Sequence, residues 1–213
     1  LKHYRYLHDN RFHNHEEKAG LAIVLHHHLP FVRHLEYPNF LEERWYFEAV
    51  VDTYTREIAN FEKWLQDKVD FRITISLTPP LIAMMKDSLL QERTLRHIEE
   101  LIKLAEKEYD SAHRNNSPWE HTVSIHLSDL RQSREIFLKY GKDLTNAYRR
   151  FQDLEFIEII TCGATHGYLP LMSAFPEAIR AQLGVAVNQY REVFGRSPRG
   201  IWLPECAYVP GLD

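Results

Sequence analysis

Gly200–Ile201–Trp202–Leu203–Pro204–Glu205–Cys206–Ala207–Tyr208 is the stretch on which the reading of the fold turns. Ile201 to Leu203 read as the end of a short buried strand, and Pro204, which has no N–H to give to a sheet ladder, stops it. Glu205 therefore stands where strand passes into loop. In a sheet or barrel of parallel strands, that edge is where side chains from several strands converge on a ligand. An arbitrary glutamate after a strand is solvated. Here Trp, Leu, Pro, Cys, Ala and Tyr flank it, so the expectation is a carboxylate in a mostly apolar neighbourhood, tuned for chemistry.

Three more runs of strand character lie upstream. Leu21–Ala22–Ile23–Val24–Leu25 is continuously apolar, as for a strand buried on both faces. Phe71–Arg72–Ile73–Thr74–Ile75–Ser76–Leu77 and Phe156–Ile157–Glu158–Ile159–Ile160–Thr161 are rich in β-branched residues. Helical pattern fills the gaps. From Leu41 to about Lys68, the residues Val50, Tyr54, Ile58, Phe61 and Leu65 recur at three and four. Pro79–Pro80 stops the second strand, and residues 81–109 read as two helical pieces, the second with Leu95, Ile98, Ile102 and Ala105 on one stripe. Asn115–Asn116–Ser117–Pro118 marks a loop. Leu127 to Phe151 reads as one helical stretch with Ser128 as its N-cap, and Pro176 opens a helix to about Phe194.

The resulting order is strand, helix, strand, helices, strand, helix, strand. It argues for a parallel α/β architecture, either an open doubly wound sheet or a barrel. A barrel stopping after Glu205 would lack its closing strands, so the chain reads as part of a longer domain. Residues 1–19 have no period and read as a loosely held extension.

Composition narrows the partners. With 26 basic against 30 acidic residues in 213, there is no basic footprint for nucleic acid. No stretch of about 18 apolar residues or apolar leader occurs, so no membrane partner is expected. Two cysteines, Cys162 and Cys206, make no disulfide framework; both read as structural thiols in a reducing compartment, and a cytoplasmic location is expected. Thirteen histidines are present, eight of them between His3 and His34, which by composition alone hints at metal.

The chemistry-bearing residues fall at strand ends. His26 and His28 lie two apart after the first strand, and if the strand pattern persists both face one side. Two imidazoles there can hold a divalent ion together with a distant ligand, or bind sugar hydroxyls and shape a carboxylate's surroundings. Gly163–Ala164–Thr165–His166–Gly167 has the glycine spacing of neither a phosphate loop nor a dinucleotide fingerprint. Its glycines allow a tight turn that brings His166 over the strand ends. No Gly-x-Ser-x-Gly elbow supports a serine triad. Of Trp45, Trp64, Trp119 and Trp202, most read as packing residues. Trp202, three residues from Glu205, is the candidate sugar platform.

These motifs resemble glycoside hydrolase family 57, particularly its 1,4-α-glucan branching enzymes. Leu25–His26–His27–His28–Leu29–Pro30 is similar to the family's first signature, Gly163–Ala164–Thr165–His166–Gly167 to the second, and Trp202–Leu203–Pro204–Glu205–Cys206–Ala207–Tyr208 to the third. Leu41–Glu42–Glu43–Arg44–Trp45 and Ser76–Leu77–Thr78–Pro79–Pro80–Leu81 also resemble that group. The resemblance runs from about Gly20 to Asp213 and implies the N-terminal portion of an incomplete (β/α)7 barrel with helical insertions, without cofactor or metal. It implies a retaining transferase acting on α-1,4-glucan, with Glu205 as nucleophile and His26, His28, His166 and Trp202 at the donor subsite. The family's acid/base aspartate has no match here, and the chain by itself is expected to be inactive. The alternatives are a 4-α-glucanotransferase or α-amylase of the same family, a metal-dependent deacetylase using the three histidines as ligands, and a glucan-binding remnant without turnover.

Overall fold

Strands β1 (Val24–His27), β2 (Ile73–Leu77) and β3 (Ile157–Ile160) run parallel, side by side in that order, in a computed structural model that describes residues 20–212. The expected extension at residues 1–19 lies outside the described residues. The register sets His26 opposite Ser76 and His27 opposite Leu77, while Ile75 stands opposite Ile159. Because side chains alternate, Ile73, Ile75 and Leu77 share one face of β2, and Thr74 and Ser76 the other.

Beyond β3 the fourth strand expected at Ile201–Leu203 is reduced to one bridge, between Thr161 and Ile201. Thr161 donates its N–H to the Gly200 carbonyl at 3.1 Å, and Trp202 donates to the Thr161 carbonyl at 2.8 Å. Pro204 then has no N–H with which to continue the ladder. The first strand also departs from expectation. It begins at Val24 rather than Leu21, and Leu21 is 89% exposed, with Ile23 and Val24 exposed as well. The cause is position: β1 pairs with β2 on one side and, among the described residues, with nothing on the other.

Helices cover the apolar face of the sheet. The run expected from Leu41 to Lys68 is α1 (Glu43–Ala49), a π-helical turn at Val50–Tyr54, and α2 (Thr55–Gln66). The wider turn accommodates an extra residue, and Thr55 Oγ1 donates to the Val50 carbonyl at 2.8 Å within it. Val50, Tyr54, Ile58 and Phe61 are buried, as their spacing predicts. Pro79 and Pro80 occupy the first turn of α3 (Pro79–Lys86), and Asp87 caps the 27-residue α4 (Ser88–Arg114) by accepting the Leu90 N–H at 2.9 Å. Helix α4 pairs with α5 (Glu120–Lys139).

The helix expected over Leu127–Phe151 is in fact two, α5 and α6 (Thr145–Asp153). Ser128 lies inside α5 and caps nothing. The break comes from Gly141 and Lys142, both with φ of 69°, which turn the chain so that Lys142 donates back to the Phe137 carbonyl at 2.9 Å. Helix α7 (Pro176–Phe194) starts at its proline and ends at Phe194, as the sequence predicts, with Gly195 as its left-handed C-cap. Ile75, Leu77 and Ile159 of the sheet and Leu81, Ile82, Tyr148 and Phe151 of the helices are fully buried in one core. No helix among the described residues is long and apolar enough to cross a membrane.

Candidate active site

Each strand end delivers part of one cluster. Alternation along β1 sends His26 and His28 to the same side, their rings 6.1 Å apart, while His27 turns the other way and pairs with Glu57 at 3.1 Å. The chain after β3 makes a turn closed by the His166 N–H on the Gly163 carbonyl at 3.0 Å. That turn lays His166 flat on His28, with ring centroids 3.6 Å apart and planes 9° from parallel. His26 Nε2 meets His166 Nε2 at 3.1 Å, and Trp202 stacks on His26 with ring centroids 4.9 Å apart. Glu205 Oε1 lies 3.8 Å from His166 Nδ1. The five residues expected at the site, His26, His28, His166, Trp202 and Glu205, are thus neighbours in space.

The backbone is unusual at the same place. Of seven described non-glycine residues with positive φ, three are His166, Glu205 and Cys206. Left-handed backbone costs such residues energy and gathers where the surrounding structure has a reason to impose it. The turn expected to rely on Gly163 and Gly167 instead places the left-handed conformation on His166 itself.

Three rings close together discourage charge. Burial, then the nearby His166 and His26, pull the His28 imidazole down to about 4. His26 is lowered by burial and by His166 and His27, and His166 by burial against an opposing pull from Glu205. At neutral pH the cluster is a set of uncharged imidazoles, each with one donor and one acceptor.

Several expectations require correction. The Glu205 side chain is 70% exposed rather than set in an apolar neighbourhood, because Pro204 ends the bridge and Glu205 falls in the left-handed turn that follows it. Cys206 is exposed rather than buried, since the turn at Pro204–Cys206 points it outward; Cys162 is buried, and burial pushes its thiol up to about 11. Trp45 and Trp119 are exposed at α1 and the start of α5 rather than packed. Trp64 is partly buried against Phe61 and Phe71 as expected. Among the described residues no group of three His, Cys, Asp or Glu is arranged to hold a metal ion.

The sequence reading did not identify Ser76 and Thr78. Ser76 Oγ lies 3.1 Å from His26 Nδ1, and Thr78 Oγ1 lies 3.1 Å from His28 Nδ1. The signal available was the matched pair of alternating motifs, His-x-His and Ser-x-Thr, whose register one strand alone does not reveal. Also unmarked was a groove of about 860 Å³ that opens beside His28 and His166 and runs over Pro79 and Pro80 toward Asn188 and Gln189 of α7.

A parallel α/β sheet with a carboxylate, three imidazoles and an indole gathered at its strand ends has the layout of α/β folds that bind ligands at the C-terminal edge of the strands. The comparisons with known proteins specify which. The chain belongs to glycosyl hydrolase family 57, whose sequence model matches residues 22–213. It is 38% identical over 194 residues to a 1,4-alpha-glucan branching enzyme of Thermococcus kodakarensis, covering 91% of this chain and 28% of that protein. Among solved structures it resembles an alpha-amylase of Thermotoga maritima at 41% identity and a TM-score of 0.84, covering 90% of this chain and 36% of that one. It also resembles the branching enzyme of Pyrococcus horikoshii at 32% identity and a TM-score of 0.80, covering 89% of this chain and 35% of that one. The architecture is therefore α/β, a partial (β/α)7 barrel with helical insertions, and the chain spans about a third of the length of these relatives.

Proposed function

We propose that the protein is a retaining α-glucan transglycosylase, a 1,4-α-glucan branching enzyme, with Glu205 as nucleophile and His26, His28, His166 and Trp202 lining the donor subsite. One observation carries the reading: Glu205 stands on left-handed backbone beside His166, a member of the ring cluster His28, His166, His26 and Trp202. In such a mechanism the carboxylate attacks the anomeric carbon. A second carboxyl, about 5–5.5 Å away, protonates the departing oxygen and later takes the proton of the incoming hydroxyl. In branching that hydroxyl is the 6-OH of another glucan chain. Uncharged imidazoles suit the task, because they hydrogen-bond sugar hydroxyls without neutralising the nucleophile.

No motif in this chain marks the second carboxyl. We place it in a part of the protein outside residues 1–213, with residues 20–213 forming the nucleophile-bearing part of the barrel. The two free thiols fit a reducing compartment, and we place the protein in the cytoplasm, acting on glycogen-like glucan. A second reading, hydrolysis, draws on the 41% identity to an alpha-amylase; there water takes the place of the sugar acceptor.

The test is to incubate the protein carrying this chain with amylose and count the branches released by a debranching enzyme. New branches that vanish in Glu205→Gln support branching. Reducing ends that accumulate without branches move the assignment to hydrolysis. A wild-type protein yielding neither product sinks both.

A further inference from the structure

Side chains in the middle of a parallel sheet are usually aliphatic, and the opposite face of β2 follows that rule with Ile75 and Leu77. Ser76 and Thr78 break it. Both are fully buried, where a hydroxyl costs stability unless it is bonded. The register puts Ser76 opposite His26, and Thr78, the next residue of that alternation, reaches His28. Thr78 also stands at the N-cap of α3, where threonine ordinarily accepts an N–H from the first turn. It makes no such bond, and Pro79 and Pro80 have no N–H to offer. Its hydroxyl goes to His28 Nδ1 instead, at 3.1 Å.

The contacts of His26 form a chain with a direction. Ser76 Oγ is 3.1 Å from His26 Nδ1, His26 Nε2 is 3.1 Å from His166 Nε2, and His166 Nδ1 is 3.8 Å from Glu205 Oε1. A neutral imidazole carries one N–H, so two assignments satisfy the chain. In one, His166 points its Nδ1–H at the Glu205 carboxylate and accepts from His26 Nε2–H, which leaves His26 Nδ1 bare and Ser76 donating to it. In the other every proton is reversed, and the bare Nδ1 lone pair of His166 faces the carboxylate. The charge of Glu205 selects the first.

We infer that Ser76 and Thr78 are positioning residues: the Ser76 hydroxyl fixes the His26 tautomer, and through it the N–H that His166 presents to Glu205, while Thr78 holds the His28 ring flat against His166. This rests on the role of Glu205 proposed above. Without the Ser76 hydroxyl, His26 Nδ1 loses its donor and can take up the proton itself. His26 Nε2 then no longer donates to His166, and the donor facing the nucleophile is no longer specified. A wrong tautomer beside a catalytic group has large kinetic cost in other enzymes. Burial lowers all three imidazoles, with the neighbouring rings adding to the effect at His26 and His28 and Glu205 opposing it at His166, which favours the neutral forms the chain requires.

The experiment uses the full-length protein with 15N-labelled histidine. In Ser76→Ala the imidazole 15N pattern of His26 should change from Nε2–H to a mixed or Nδ1–H form. The kcat on amylose should fall about tenfold to a hundredfold, with KM within about threefold of wild type. Ser76→Thr, which restores a hydroxyl, should recover both. Thr78→Val, acting through the ring farther from Glu205, should raise KM more than it lowers kcat. An unchanged 15N pattern in Ser76→Ala overturns the inference. So does a fall in kcat that tracks a fall in Tm and is not recovered by Ser76→Thr. If the wild type turns over no glucan, the proposed function fails, and the 15N pattern alone then upholds or overturns the role of Ser76.

Discussion

Two glutamates, Glu43 at the first turn of α1 after β1 and Glu205 in the turn after the Thr161–Ile201 bridge, lead opposite lives. Glu43 is fully buried, and Arg93 binds both of its oxygens, at 2.7 and 2.6 Å. The same guanidinium holds the His34 and Tyr37 carbonyls at 2.8 and 2.7 Å, and the His34 N–H donates to Glu43 at 2.8 Å. Together the pair straps the loop after His28 to α4. Glu205 is mostly exposed, and its imidazole neighbour stands off at 3.8 Å. A saturated carboxylate builds the scaffold, whereas an under-held one on strained backbone remains free to react.

The contrast is broken most sharply by exchanging the consequences. Glu205→Gln should lower glucan transfer by the nucleophile's share, on the order of 10³-fold or more, while Tm stays near that of wild type. A comparable loss of Tm would show that Glu205 too is scaffold. Next in size, Arg93→Met leaves the Glu43 charge buried and unpaired and should cost about 3–5 kcal/mol of stability by urea denaturation. Adding Glu43→Gln should return part of it, and a cost under about 1 kcal/mol would put the strap among ordinary surface pairs.

A smaller effect concerns acid. His28 has a folded pKa of about 4, below its ordinary 6.5, so the unfolded chain binds the proton more readily. Its contribution to stability is complete above about pH 6.5 and is lost as pH falls toward about 4. The fall in Tm between pH 6.5 and 4 should be shallower in His28→Asn than in wild type, and equal slopes would remove His28 as the cause. The smallest effect is chemical. With its thiol pushed up to about 11 by burial, Cys162 should resist a thiol reagent at neutral pH in the native protein, while exposed Cys206 reacts. Labelling of both thiols without denaturant would show that the strand end after β3 opens.

What the sequence made legible follows the same division. Runs rich in β-branched residues disclosed β2 and β3, a three-and-four stripe disclosed α2 and α4, and Pro176 marked the start of α7, while Pro79 and Pro80, read only as the stop of β2, also open α3. The alternation His26-x-His28 was enough to place both rings on one side. Burial was harder to read, because it depends on neighbours remote in the chain. Apolar flanks did not bury Glu205 or Cys206, and Leu21 to Val24 are exposed although the run is apolar. The break between α5 and α6 falls at Gly141, inside a stretch of mixed residues that reads as one helix. Ser76 and Thr78 became visible only once the parallel register set them beside the histidines.

The unpaired side of β1 bears on how the protein behaves in the test tube. Val24 of β1 and the preceding Leu21 and Ile23 are exposed at a strand edge that is unpaired among the described residues, which presents hydrogen-bonding groups and apolar side chains together. Such an edge recruits any extended chain that reaches it. Residues 20–212 handled alone should therefore clump with rising concentration, and a lysine at Ile23 should act as a solubility tag built into the strand.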